Sequence, residues 1–151
     1  MATDWIRKKV RYCVRRYKTC DPYRLAEALG ILVFRCALGN CQGCYMFIKR
    51  RRIIFLNQDL DEETERMVLA HEIGHAILHP RQNCYFLRAK TLLLPGIERE
   101  ANLFAADLLI PDEMIFEAMD RSYTVRQLAR MAGCCEALAR LRLEHTNLNG
   151  Q

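Results

Sequence analysis

The sequence predicts an α+β fold, with helices packed around a small, mostly antiparallel sheet and a helical, helix-turn-helix-like tail. Three observations carry this. Short apolar runs, partly β-branched and separated by turn residues, cluster between positions 31 and 57. A long run of helical period follows from about Glu62 to Leu78. From Thr124 onward the pattern is helical, broken once at Gly133, and helical again.

Taken in order, Asp4 caps a first helix over about 5–17. Its apolar positions Ile6, Val10, Cys13, Val14 and Tyr17 share one stripe, with Arg and Lys on the other. Asp21-Pro22 opens a second helix, Pro22 to about Leu29, closed by Gly30. Ile31–Cys36 reads as a strand, and Gly39, Asn40 and Gly43 mark a turn. Cys44–Lys49 and Ile53–Asn57 read as two further strands joined by Arg50-Arg51-Arg52. The acidic run from Asp59 to Glu63 suits a helix N-terminus, and Pro80 ends the helix that follows. Residues 81–95 read as irregular. Helices are then expected from Gly96 or Ile97 to Leu109, over about 112–119, and on both sides of Gly133.

The 151 residues suffice for one domain plus a small appendage, divided here as 1–122 and 123–151. About half are hydrophobic (51%) and 27% are charged, an ordinary globular balance. The opening MATDWIRKKV has charges without an apolar run behind them, and no apolar stretch approaches the ~18 residues of a membrane span. A cytoplasmic protein with no membrane partner is therefore expected. In that reducing compartment the 8 cysteines read as thiols, ligands or core residues rather than bridges. The net charge of +5 divides unevenly, with the basic excess before residue 61. A solvated helix face and a hairpin turn explain that excess better than a nucleic-acid site.

The chemistry lies in HEIGH, residues 71–75. Histidines four apart on a helix share a face, so His71 and His75 can present two imidazoles to one zinc ion. Glu72 falls beside that ion rather than on it, where a carboxylate can take a proton from water. Gly74 inside a helix costs about 1 kcal/mol against alanine, which points to close packing or close substrate approach. His79 continues the series but lies about 12 Å along the axis from His71, too far to share an ion. Leu78 and Arg81 stand where the longer metzincin pattern needs glycine and histidine. The third ligand is thus sought on the helix reading IEREANLFAA, residues 97–106. Glu98 and Glu100 are both candidates and point about 200° apart. Glu98 is favoured because Ala101 lies one turn on, on the apolar side. Asn102 follows Glu98 at i+4, where it can hydrogen-bond a ligand histidine.

HEIGHAILH, preceded by RRIIFLN and followed by EREANLFAADLLIP, resembles the ImmA/IrrE-type metallopeptidases over roughly Tyr23 to Asp112. The resemblance implies a zincin-like fold and a gluzincin-like centre, with His71, His75 and Glu98 as zinc ligands and Glu72 as catalytic base. It also implies cleavage of a cytosolic regulator, such as a helix-turn-helix repressor of a prophage or mobile element, or a stress-response repressor. The alternative function is a metal-holding regulatory or DNA-binding protein without peptidase activity.

Weaker signals remain. Tyr85 is a candidate oxyanion donor, and Tyr45-Met46-Phe47-Ile48 a candidate edge for a bound peptide strand. Cys41-Gln-Gly-Cys44 has metal-knuckle spacing, but the chain has no second CxxC, so a turn carrying free thiols is favoured. The tail could read DNA with Arg140 and Arg142 facing phosphate, though a packing or substrate-docking appendage is the better reading.

Overall fold

The computed structural model describes residues 3–81 and 95–148. Helix α1 (Asp4–Tyr17) buries Ile6, Val10 and Cys13, as its apolar stripe requires. The Asp21 side chain accepts from the Tyr23 amide and Pro22 takes the first turn of α2 (Pro22–Ala28). Strands β1 (Leu32–Cys36), β2 (Gly43–Ile48) and β3 (Arg51–Asn57) follow.

The strand order is β1-β3-β2. β2 pairs antiparallel with β3, from Gly43 opposite Leu56 to Ile48 opposite Arg51. β1 pairs parallel with β3, Leu32 beside Ile53 through Cys36 beside Asn57. The architecture is α+β as expected, but the sheet is mixed, one pairing being parallel. Sequence period fixes which residues share a face, not which edge of a hairpin a preceding strand joins.

The hairpin also corrects the three-arginine loop. Only Lys49 and Arg50 turn the chain, both at positive φ (49° and 64°), as a tight two-residue hairpin turn requires. Arg51 and Arg52 belong to β3, and Arg52 Nη2 donates to Leu29 O at 2.7 Å.

Helix α3 (Glu62–Leu78) begins where Asp61 accepts from the Thr64 amide at 2.7 Å. It lies against the sheet on one side and against α4 (Pro95–Leu109) on the other. Its middle is therefore buried nearly all round: Leu69, Ala70, Glu72, Ile73, Gly74, His75 and Ala76. At Gly74 the two helices approach closely. A Cβ there would lie 3.1 Å from Ala101 O and 3.1 Å from Phe104 Cβ, so the expected close packing is present. On the sheet, Tyr45, Ile54 and Leu56 face this core, while Leu32 and Phe34 stay partly exposed on the other face.

Helix α5 (Asp112–Asp120) precedes the tail, α6 (Val125–Ala132) and α7 (Glu136–Leu148). Thr124 and Gln127 form a reciprocal capping box on α6. α7 packs on α4 and α6 on α5. Arg142 does not face solvent as a phosphate contact would. Its side chain is 2% exposed, and it donates to Ile110 O at 2.7 Å and to Asp112 Oδ1 at 2.6 Å. Carboxylates and a carbonyl 30 residues or more away capture it, and no local pattern announces them. Arg140 is exposed and lies 3.8 Å from Glu136. No helix among the described residues is long and apolar enough to cross a membrane.

Candidate metal centre

The one-turn offset on α3 brings the two imidazoles together edge to face, with ring centroids 4.7 Å apart and Nε2 atoms 3.1 Å apart. Glu98, in the first turn of α4, reaches across. One carboxylate oxygen lies 2.9 Å from His71 Nε2 and the other 3.2 Å from His75 Nε2. Potential ligand atoms of His71, His75 and Glu98 all lie within 4.8 Å of one another, and among the described residues no other group of three or more His, Cys, Asp or Glu does so. The close approach at Gly74 permits this, because the glutamate must come from a second helix.

The donor set suits a cation. Asn102 Oδ1 lies 2.8 Å from His71 Nδ1 and, as an amide oxygen, can only accept. The proton therefore sits on Nδ1, leaving the Nε2 lone pair aimed at the cluster. Burial pushes the His75 pKa below its ordinary value, outweighing the nearby Glu98 carboxylate acceptor, so this imidazole favours its neutral form, the form able to ligate a metal. Two lone pairs and a carboxylate then converge on one point, an arrangement that a divalent ion satisfies.

Glu72 is fully buried beside this cluster and lines the same cleft. That cleft, of about 430 Å³, is also lined by His71, Glu98, Asn102 and Gln42. Asn57 steadies the loop carrying Gln42 by donating to the Gly39 and Cys41 carbonyls at 2.9 and 3.0 Å. A smaller cleft of about 210 Å³ runs beside α1, between Arg11, Arg15 and Asp112, and contains none of these residues.

His79 and Glu100, the two rejected candidates, meet each other instead. His79 Nε2 lies 2.5 Å from a Glu100 oxygen, so Glu100 is half-buried in a clasp between α3 and α4 rather than a solvated charge. Cys41 Sγ donates to Gly43 O, and among the described residues the seven cysteines form no disulfide. Tyr85 and Cys84 lie outside the described residues. Tyr45 sits on β2, an end strand of the described sheet, but points inward and its hydroxyl donates to Pro80 O. Sequence reasoning missed Cys135 and Leu138, which line the metal-side cleft from the tail. Only the packing of α7 on α4 brings them there.

An HExxH helix facing a glutamate of a second helix, over a small sheet, defines a metallopeptidase-type centre. The chain belongs to the peptidase family described as the IrrE N-terminal-like domain, which matches residues 26–144. It is 36% identical over 139 residues to the uncharacterized immunity region protein 2 of Bacillus phage phi105, covering 91% of this chain and 88% of that one. It is 29% identical over 117 residues to the metallopeptidase ImmA of Bacillus subtilis (strain 168), covering 76% and 68%. The family implies a metal ion and a protein substrate.

Proposed function

We propose that this metallopeptidase is a zinc-dependent, gluzincin-like endopeptidase acting in the cytoplasm on a protein regulator. The substrate class is a helix-turn-helix repressor of a prophage or mobile element. The observation that carries the reading is the convergence of His71, His75 and Glu98 beside the buried carboxylate of Glu72. The names of the relatives, an immunity-region protein of a Bacillus phage and the metallopeptidase ImmA, support a peptidase linked to phage immunity.

His71, His75 and Glu98 would hold the ion, and Asn102 would fix the tautomer and direction of His71. When bound, zinc supplies Lewis-acid polarisation of the scissile carbonyl and makes water a stronger acid, with a pKa near about 7. Glu72 accepts the proton of the attacking water and returns it to the leaving amine, so one carboxylate serves as base and then acid. Its burial keeps bulk water from competing for that proton.

The proposal is tested by co-expressing the protein with a candidate helix-turn-helix repressor from the same element and following the repressor on a gel. Wild type should cut it, and Glu72→Gln should leave it whole while keeping its metal. Cleavage by Glu72→Gln at the wild-type rate would remove the carboxylate from the mechanism.

A further inference from the structure

The tail takes part in the metal-side cleft, and the manner of its attachment gives it a role there. Gly133 ends α6 in the left-handed conformation (φ 67°) and turns the chain sharply into α7. Two α3 residues pin that turn. Arg66 Nη1 donates to Ala132 O at 2.8 Å, and the Cys135 amide donates to Met67 Sδ at 3.2 Å. Both residues lie within one to two turns of His71, so the tail is anchored on the helix that carries the histidines.

The anchoring turns the first turn of α7 toward the cleft. Leu138 lines it together with Met67, Val68 and Ala105, and Cys135 lies at its exposed rim. These apolar side chains stand beside His71, Glu72, Glu98 and Asn102, the polar part of the same lining. The cleft thus combines the chemical groups with apolar side chains in one lining. Its volume, about 430 Å³, exceeds what one water and one peptide group need.

We propose that Leu138, Met67, Val68 and Ala105 form a subsite for an apolar side chain adjacent to the scissile bond, so that the C-terminal helix pair sets substrate specificity. The inference rests on the peptidase reading above. With the bond to be cut held at His71, Glu72 and Glu98, the neighbouring side chain of an extended peptide would meet the apolar part of the lining. Leu138 is the specificity-determining residue. Among the described residues it is the one large apolar side chain of the lining that comes from outside α3, and it is only half-buried by its own neighbours. An apolar occupant there removes both its own surface and that of Leu138 from water.

The test uses the metal-loaded full-length protein and a defined library of unstructured synthetic peptides, with cleaved bonds mapped by mass spectrometry. Wild type should cut chiefly beside large apolar residues at one fixed position. Leu138→Glu should keep wild-type metal content yet lose on the order of tenfold or more in kcat/KM on the best apolar peptide, and shift preference toward Lys or Arg. Leu138→Met should behave as wild type. Should Leu138→Glu fold poorly, Leu138→Thr gives the same direction with a smaller loss. A binding readout separates this inference from the mechanism. In a Glu72→Gln background, Leu138→Glu should weaken binding of the same fluorescent peptide by a similar factor. An unchanged profile and unchanged affinity in metal-replete Leu138 variants would overturn the subsite while leaving the peptidase reading standing. No cleavage of any peptide or protein by metal-loaded wild type would overturn both.

Discussion

Replacing Gly74 by alanine sets two known effects against each other at the point where the two halves of the candidate metal centre meet. Alanine is the better helix former by about 1 kcal/mol. Against that, the new methyl would stand 3.1 Å from Ala101 O, 3.1 Å from Phe104 Cβ and 3.2 Å from Ala101 Cα. Two of these three atoms are backbone of α4, so no side chain can swing aside, and the helices must part by a few tenths of an ångström. Overpacking of this kind costs about 1–3 kcal/mol. The expected net result for metal-free protein is a loss of roughly 1 kcal/mol, read from urea denaturation. The separation also moves Glu98, one turn before Ala101, away from the histidines that it now meets at 2.9 and 3.2 Å. Metal geometry tolerates only about 0.2 Å, so affinity in chelator competition should fall by about 10–100-fold, comparable to losing a supporting partner. A Gly74→Ala protein that is about 1 kcal/mol more stable, with unchanged metal affinity, would refute the argument that this contact sets the α3–α4 distance.

Three further predictions follow from the same contacts. In chelator competition, Glu98→Ala should lose metal severely and Asn102→Ala should lose about 10–100-fold, while Glu100→Ala stays near wild type; loss of metal from Glu100→Ala alone would move the ligand assignment. Arg142→Ala abandons Ile110 O, Asp112 and the buried Asp107, and should cost about 3–5 kcal/mol in denaturant unfolding; a change below about 1 kcal/mol would mean that the tail is held elsewhere. Hydrogen bonds from Arg35, and secondarily from Tyr23, outweigh burial and hold Glu65 below the ordinary carboxylate range. Its contribution is therefore present above the unfolded pKa of about 4.3 and lost as pH falls through the lower folded value. Arg35→Ala should raise the pH of acid unfolding, and an unmoved acid limb would exclude this cluster from it.

Much of the candidate site's geometry was legible because its signals are local. Asp61 before α3, the i, i+4 histidines and the helical period of 97–109 place α3 and α4 from neighbouring residues alone. Preferring Glu98 to Glu100 needed only the apolar side of one helix, and the structure sets Glu98 against both histidines. What stayed hidden depends on distant partners. The parallel pairing of β1 is invisible to side-chain period, and the placement of Arg51 and Arg52 in β3 follows from the backbone of a two-residue turn. Arg142 looked like a surface cation because the groups that bury it come from α4 and the α4–α5 junction. The tail's share of the cleft depends on Arg66 and Met67 gripping a turn more than 60 residues away.

The central claim, that His71, His75 and Glu98 hold one zinc ion in a chain with 8 cysteines, is tested most directly by X-ray absorption on the zinc-loaded protein. The account predicts one zinc per chain, ringed by imidazole nitrogen and carboxylate or water oxygen at about 2.0–2.2 Å. It further predicts that the imidazole signal survives Glu72→Gln and that binding collapses in Glu98→Ala. Sulfur scattering at about 2.3 Å in the wild-type protein would contradict it, because the metal would then be held by cysteines rather than by the two histidines and Glu98.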